Sequence, residues 1–218
     1  MGFISIASYL PEMLRGTWIT VQVTFLSAIV AFFVAFLFGL GRLSRWKLIN
    51  GICYVVVEFI RGTSLMVQLF WLYYVLPFFG ISFNELLTGI VAIGLNYGAY
   101  GSEIVRSSIK AVPSGQREAG IALNLSPIQI MMRLIIPQAF IRMIPPFGNL
   151  LIELLKGTSL VSFITLADLT YEAMTLRNHY YSEQGMIFAL LLVIYFILAY
   201  AMTLGMRALE KRMSAGRL

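Results

Sequence analysis

Three acid–base couples punctuate an otherwise apolar chain: Glu58/Arg61, Glu103/Arg106 and Glu153/Lys156. Each is spaced i, i+3, so on a helix both charges share a face and can pair. An unpaired charge in hydrocarbon costs roughly 2.5–3.5 kcal/mol on insertion scales, and self-pairing lowers that cost. The first two couples are expected as structural pairs near a membrane boundary. Glu153/Lys156 lies deeper, with Thr158 and Ser159 directly after it. It suits a buried pair facing a polar cavity, acting as a gate or solute contact, or a staple between helices. Gln68 and Asn96 are polar residues inside apolar runs, and each can hydrogen-bond either a solute or a neighbouring helix. Other chemistry is missing. No Gly-x-x-x-x-Gly-Lys-Ser/Thr loop occurs, so the chain is not expected to hydrolyse ATP. There is no His-Glu-x-x-His and no cysteine cluster for a metal. His179 is the only histidine and Cys53 the only thiol, so no catalytic set rich in His and Cys can be built. His179 reads as a solvated loop residue. No catalytic residue and no metal ligand is assigned.

The elements that must carry these residues are membrane helices. Of 218 residues, 59% are hydrophobic and 12% charged, against about 25% charged in a soluble domain. The mean hydropathy is +0.84. Lipid, not water, is expected around most of the chain. A span needs about 20 apolar helical residues. Uncharged runs at 17–40, 62–84 (starting somewhat earlier, near Val55), 86–102 and 184–206 supply four. A fifth at 143–167 contains Glu153 and Lys156, and Pro145-Pro146 is expected to make its start irregular. Residues 1–16, with Phe3, Ile6, Ala7 and Leu10 at helical spacing, read as an amphipathic helix on the outer membrane surface. Residues 168–183 read as a polar outer loop and 207–218 as a basic tail. Gly94-x-x-x-Gly98 allows a close helix neighbour.

Charge orients this bundle. With the N-terminus outside, the inner segments 41–47, 106–142 and 207–218 carry Arg42, Arg45, Lys47, Arg106, Lys110, Arg117, Arg133, Arg142, Arg207, Lys211, Arg212 and Arg217, while the outer segments hold only Arg15 and Arg177. That is a positive-inside pattern. It accounts for the +6 net charge without nucleic acid, and it places both the C-terminus and the stretch 112–138 in the cytoplasm.

That stretch reads as two short helices with a bend. Ser114 can cap the first, which would run to about Leu123. Asn124 tolerates the left-handed conformation that ends a helix. Ser126-Pro127-Ile128-Gln129 forms a capping box with proline at the first helical position. Leu125 and Ile130 stand where a hydrophobic staple needs them. Ile128, Met131, Met132 and Ile135 make one apolar stripe, and Pro137 is expected to end or kink the helix.

The segment R-E-A-G-I-A-L-N-(x)9-L-I-I-P-Q resembles the EAA loop of ABC transporter permeases. Glu118, Ala119 and Pro137 match that pattern in identity and spacing. Gly120 replaces its third alanine, loosening the first helix by roughly 1 kcal/mol. Asn124 replaces its glycine, and Leu134/Ile136 exchange its aliphatics. Further segments are similar to the polar amino-acid uptake branch. Glu58 to Gln68 resembles E-x-x-R-G-T-P-L-x-V-Q, with Ser64 for proline. Gly98-Ala99-Tyr100 with Glu103 and Arg106 resembles G-A-Y-x-x-E-x-x-R. Leu155 to Leu160 resembles L-K-D-T-S-L, with Gly157 for aspartate. The A-L-N-L-S-P wording is most similar to permeases for ectoine and hydroxyectoine.

The resemblance implies an all-α type I importer permease in the bacterial inner membrane, with five transmembrane helices over 17–206 and the coupling loop at 112–138. It implies ATPase coupling through Glu118, Ala119, Gly120, Asn124 and Pro137. Gln68, Asn96, Glu153, Lys156, Thr158 and Ser159, as polar residues within or beside the apolar spans, are the candidates for a substrate pathway for a small zwitterion. The implied partners are a second permease, identical or homologous, two ATP-binding subunits that hold ATP and Mg, a periplasmic solute-binding protein and membrane lipid. The other reading is a stand-alone secondary carrier or channel. It would have no use for the loop, and the chain shows no repeat of the kind such carriers carry. A DNA-binding helix-turn-helix at 116–136 fits poorly, because its second helix offers one base, Arg133.

Overall fold

The computed structural model describes the backbone of residues 2–214 and the side chains of residues 9–213. The side chains of Phe3, Ile6 and Ala7, and Arg217 altogether, lie outside that range. Over the described residues the regular secondary structure is all helical, joined by short connections. α1 (Gly2–Gly41) is one unbroken helix, with Pro11 inside it. The surface helix expected over 1–16 is therefore not a separate element but the first turns of the span. α4 (Glu85–Lys110) starts on Asn84, whose side chain accepts from the Leu87 N–H at 2.8 Å. α1 and α4 form the most extensive helix pair. Its physical basis is close approach: a Cβ on Gly94 would stand 2.5 Å from Val30 Cγ1, and one on Gly98 2.6 Å from Val34 Cβ. In lipid, helices associate through such packing rather than through a hydrophobic drive.

The second span differs from expectation. Lys47–Gly62 (α2) and Leu65–Phe79 are bent by 101° at Thr63-Ser64. α3 (Leu65–Phe70) opens into a π turn, Trp71–Val75, and a 3-10 turn, Leu76–Phe79. Three helices are long and apolar enough to cross a membrane, Tyr9–Gly41, Pro127–Ile164 and Tyr181–Met213, or four if the bent pair counts as one. The count of five is therefore not reached on that measure. α4, which holds the run 86–102, falls outside it. It carries Glu103 and Arg106 and buries Thr88, Asn96, Ser102 and Ser108. A helix surrounded by protein need not be apolar all round.

α5 (Ser114–Ala122) and α6 (Pro127–Gln129) project from the bundle. α6 continues through a π turn, Ile130–Ile135, into α7 (Ile136–Gly157) and a 3-10 segment, Thr158–Ile164. Neither Pro137 nor Pro145-Pro146 breaks this rod. Pro137 sits just past the π turn, where the Ile136 N–H bonds Met131 O. The widened turn accommodates a residue that lacks an N–H. Pro77 follows a π turn in the same way, with Leu76 N–H bonded to Trp71 O. The expected outer loop is also helical: α8 (Leu169–His179) is capped by buried Asp168, which accepts from the Tyr171 N–H at 2.9 Å. His179 is exposed at its end. α9 (Gln184–Ser214) closes the chain, and only 6% of its apolar window is buried.

Candidate functional site: a projecting handle joined to a polar stripe

The handle is built by local sequence. At the end of α5 the Asn124 N–H bonds Ile121 O at 2.9 Å and the Leu125 N–H bonds Gly120 O at 3.0 Å. This is a Schellman closure, with Asn124 at φ 55°. The Ser126–Gln129 capping box is complete in both directions. The first cap differs: α5 begins at Ser114 itself, behind Pro113, and no side chain caps it. The two helices meet at Gly120, where a Cβ would stand 2.8 Å from Ile130 Cγ1 and 3.1 Å from Leu134 Cδ1. Gly120 thus lets the handle fold tightly. The apolar stripe expected on the second helix is split by the π turn: Met131 and Ile135 pack into the core around Met143 and Val105, whereas Ile128 and Met132 face out. With Ile121 and Leu123 they form an exposed apolar patch, each residue more than 60% exposed. Glu118 and Ala119 are exposed beside it, and Glu118 enters no ion pair among the described residues. The handle is tied back to the bundle where the Gln138 side-chain amide donates to Gln116 at 3.1 Å and Arg142 donates to Ala111 O at 2.6 Å.

The rod that begins at the handle carries polar groups into the bundle. Arg142, Pro145, Asn149, Glu153 and Lys156 are exposed along one face of α7. The expected pair does not form: Glu153 and Lys156 are not bridged to each other, and neither side chain meets another charged partner among the described residues. They stand one turn apart on the exposed face of α7. On one flank the Tyr97 hydroxyl donates to the Glu153 backbone carbonyl at 2.9 Å and fills the space above Gly157. On the other, Lys156 and Ser159 line a cleft of about 460 Å³ against Tyr195, Tyr200 and Thr203 of α9. A second cleft of about 170 Å³ continues it past Asn149 to Arg207 and Glu210. Asn149 was missed from sequence. It lies four residues before Glu153, a spacing that places both on one helix face.

Gln68 and Asn96 are brought together behind this stripe. Asn96 donates to Gln68 Oε1 at 3.1 Å, and Gln68 Nε2 donates to Ile60 O at 2.8 Å and to the Thr63 hydroxyl at 2.7 Å. Their polar groups hold α4 against the α2–α3 bend. Thr158 is buried and donates to Leu155 O, and Ser159 donates to Lys156 O. The other two couples do pair, Glu58 with Arg61 at 3.2 Å and Glu103 with Arg106 through two bonds. Arg42, its side chain only 8% exposed, joins them, reaching Glu103 at 2.9 Å and Glu58 at 3.8 Å. This link spans 61 residues of sequence, and nothing local signals it.

The fold and site define a multi-pass helical membrane subunit in which Glu153 and Lys156 of the polar stripe form no ion pair among the described residues and the handle presents an open apolar surface. The model for the inner membrane component of binding-protein-dependent transport systems matches residues 28–215, and the chain belongs to that family. This is the family read from 112–138, and it places the chain in the inner membrane. The chain is 42% identical to a probable amino-acid ABC transporter permease of Sinorhizobium fredii, over 96% of this chain and 90% of that one. It is 35% identical to the L-cystine transport system permease TcyB of Bacillus subtilis, over 94% and 88%. It is 32% identical to the glutamine transport system permease GlnP of Escherichia coli, over 94% of each. A solved structure, of an amino acid ABC transporter with histidines, superposes with a TM-score of 0.90 at 32% identity, covering 97% of this chain and 99% of that one. An inward-facing MetNI methionine ABC transporter shares the fold at a TM-score of 0.77 and 20% identity, over 94% and 97%.

Proposed function

We propose that this chain is one half of the translocation path of an ATP-driven importer for a polar amino acid or an amino-acid-like zwitterion, with ectoine and hydroxyectoine as the solutes its segment wording favours. One observation carries the reading. The helix that starts in the handle is the same continuous rod, Pro127–Ile164, that holds Glu153 and Lys156. Force applied to the exposed patch reaches the polar stripe without crossing a flexible joint. A second permease, identical or homologous, completes the path opposite the stripe. Two relatives from one organism, each 42% identical to this chain, fit such pairing. Glu153 and Lys156 offer opposite charges to a zwitterion's ammonium and carboxylate, with Ser159 beside them and half-buried Gln68 and buried Asn96 and Thr158 as the backing. Two ATP-binding subunits hold ATP and Mg and dock on the handle around Glu118. A periplasmic binding protein delivers the solute at the α8 end. ATP then shifts the population between outward- and inward-facing states. In this reading the N-terminus is outside and the basic C-terminal end is cytoplasmic.

The test is Glu118→Lys in the reconstituted transporter. Assembly with the ATP-binding subunits should survive and ATP-driven uptake should be abolished; normal uptake by the variant would refute the coupling role. Orientation is tested by placing cysteines at Ser114 or Ser126 after Cys53→Ser. A membrane-impermeant reagent outside intact cells should leave both unlabelled. Thermal shift of the cognate binding protein by ectoine, glutamine and arginine ranks the solutes.

A further inference from the structure

We propose that the groove between α1, α7 and the end of α9 binds one acyl chain of an anionic phospholipid, whose headgroup rests on the basic end of α9. The inference rests on the chain lying in a membrane. The groove has a volume of about 540 Å³, and every residue that lines it is apolar, among them Phe25, Phe32, Phe147, Leu151 and Leu154. Water has no polar partner there, and a vacant groove would forfeit dispersion contacts along its walls.

Chemistry selects the occupant. A hydrocarbon chain needs no hydrogen-bond partner and suits walls that offer none. The surroundings agree, because α9 is covered by protein over only 6% of its apolar window. Charge selects the headgroup. Met206, Leu209 and Met213 of α9 line the groove to its end, and Lys211 and Arg212 lie in that last turn, both exposed. With Arg207 and Glu210 this end of the helix carries an excess of positive charge. Basic residues at a helix end attract anionic lipid headgroups.

The test uses the whole transporter, purified with its partner subunits and reconstituted. With Trp18, Trp46 and Trp71 replaced by phenylalanine, Phe147→Trp places a reporter in the groove. A phospholipid brominated on its acyl chain should quench this reporter at least threefold more strongly with an anionic glycerol headgroup than with a choline headgroup, at equal mole fraction. Lys211→Glu/Arg212→Glu should abolish that difference, and Ala28→Phe, which fills the groove, should abolish quenching. Equal quenching by both lipids would mean ordinary boundary lipid and would overturn the site. No quenching by either, while Val193→Trp on the exposed face of α9 is quenched by both, would mean that protein fills the groove and would also overturn it. If Val193→Trp too escapes quenching, the membrane placement itself fails, and the proposal with it.

Discussion

Single residues set the geometry of the handle and of the charge cluster. Asn124 is one of two non-glycine residues at positive φ among those described. A β-branched side chain there would destabilise the loop by about 1–2 kcal/mol. Asn124→Val should therefore reduce ATP-driven uptake and increase protease cleavage between α5 and α6, whereas Asn124→Gly should leave both near wild type. Arg42 bridges two carboxylates from a nearly buried position. Removing it leaves Glu103 with Arg106 alone, at a cost of about 1–3 kcal/mol for the weakened charge-assisted bonds. Arg42→Met should lower the melting temperature in lipid by several degrees, and Arg42→Lys should recover part of the loss. An unchanged melting point for the methionine variant would show the cluster to be unimportant for stability.

At the scale of elements, the α1–α4 seam and the α8 cap make separate predictions. Gly98 faces Val34 with no room for a side chain, and overpacking of this kind costs typically 1–3 kcal/mol. Gly98→Leu should lower the yield of folded protein, with Val34→Ala as its partial rescue. Asp168 is buried at the junction of α1, α8 and α9. Its carboxylate accepts from the Tyr171 N–H and lies 3.5 Å from the Tyr195 hydroxyl, while the neighbouring Leu169 N–H donates to the Thr20 hydroxyl at 3.1 Å. Burial pushes its pKa up to about 6 from 3.8, against the lowering effect of its hydrogen bonds. Glu172, nearby, is raised as well, by burial and then by Glu12. A folded pKa above the unfolded one means that the folded state binds the proton more tightly. Stability contributed by Asp168 is thus present below about pH 4 and lost as pH rises to about 6. Asp168→Asn keeps an acceptor at the cap and removes that titration. The melting temperature of wild type minus that of the variant should fall between pH 4 and 6 and level off above; a flat difference would contradict the raised pKa.

Across the whole molecule, the groups left unsatisfied in the isolated chain show where the assembly must continue. Glu153 and Lys156 are costly to expose to lipid, and neither finds an ion-pair partner among the described residues. Glu153→Gln should leave the melting temperature within a degree or two of wild type, because no bond in this chain is lost. It should raise the apparent KM for the solute about tenfold, equivalent to about 1.4 kcal/mol. A large fall in stability with unchanged KM would make Glu153 structural. The same logic covers Ile121, Leu123, Ile128 and Met132, all exposed on the handle, apolar surface that a partner would bury.

The sequence alone carried several features that depend only on near neighbours in the chain. The Asn124 turn, the Ser126–Gln129 box and the two i, i+3 pairs at Glu58 and Glu103 need only residues within one or two turns, so spacing suffices to read them. The motif and the matching family came from the same local order. Tertiary structure decided whatever depends on distant surfaces. Gly120 appeared a weak helix residue until Ile130 was packed against it. For Gln68 and Asn96 the sequence left a solute and a neighbouring helix as equal partners, and the α2–α3 bend brings the two to each other. The Glu153/Lys156 couple shares a helix face yet does not close: Tyr97 of α4 bonds the Glu153 backbone carbonyl, and Lys156 lines the cleft against α9. Spacing tells which side chains can meet, but only the packed bundle determines which of those contacts is more favourable than its alternatives.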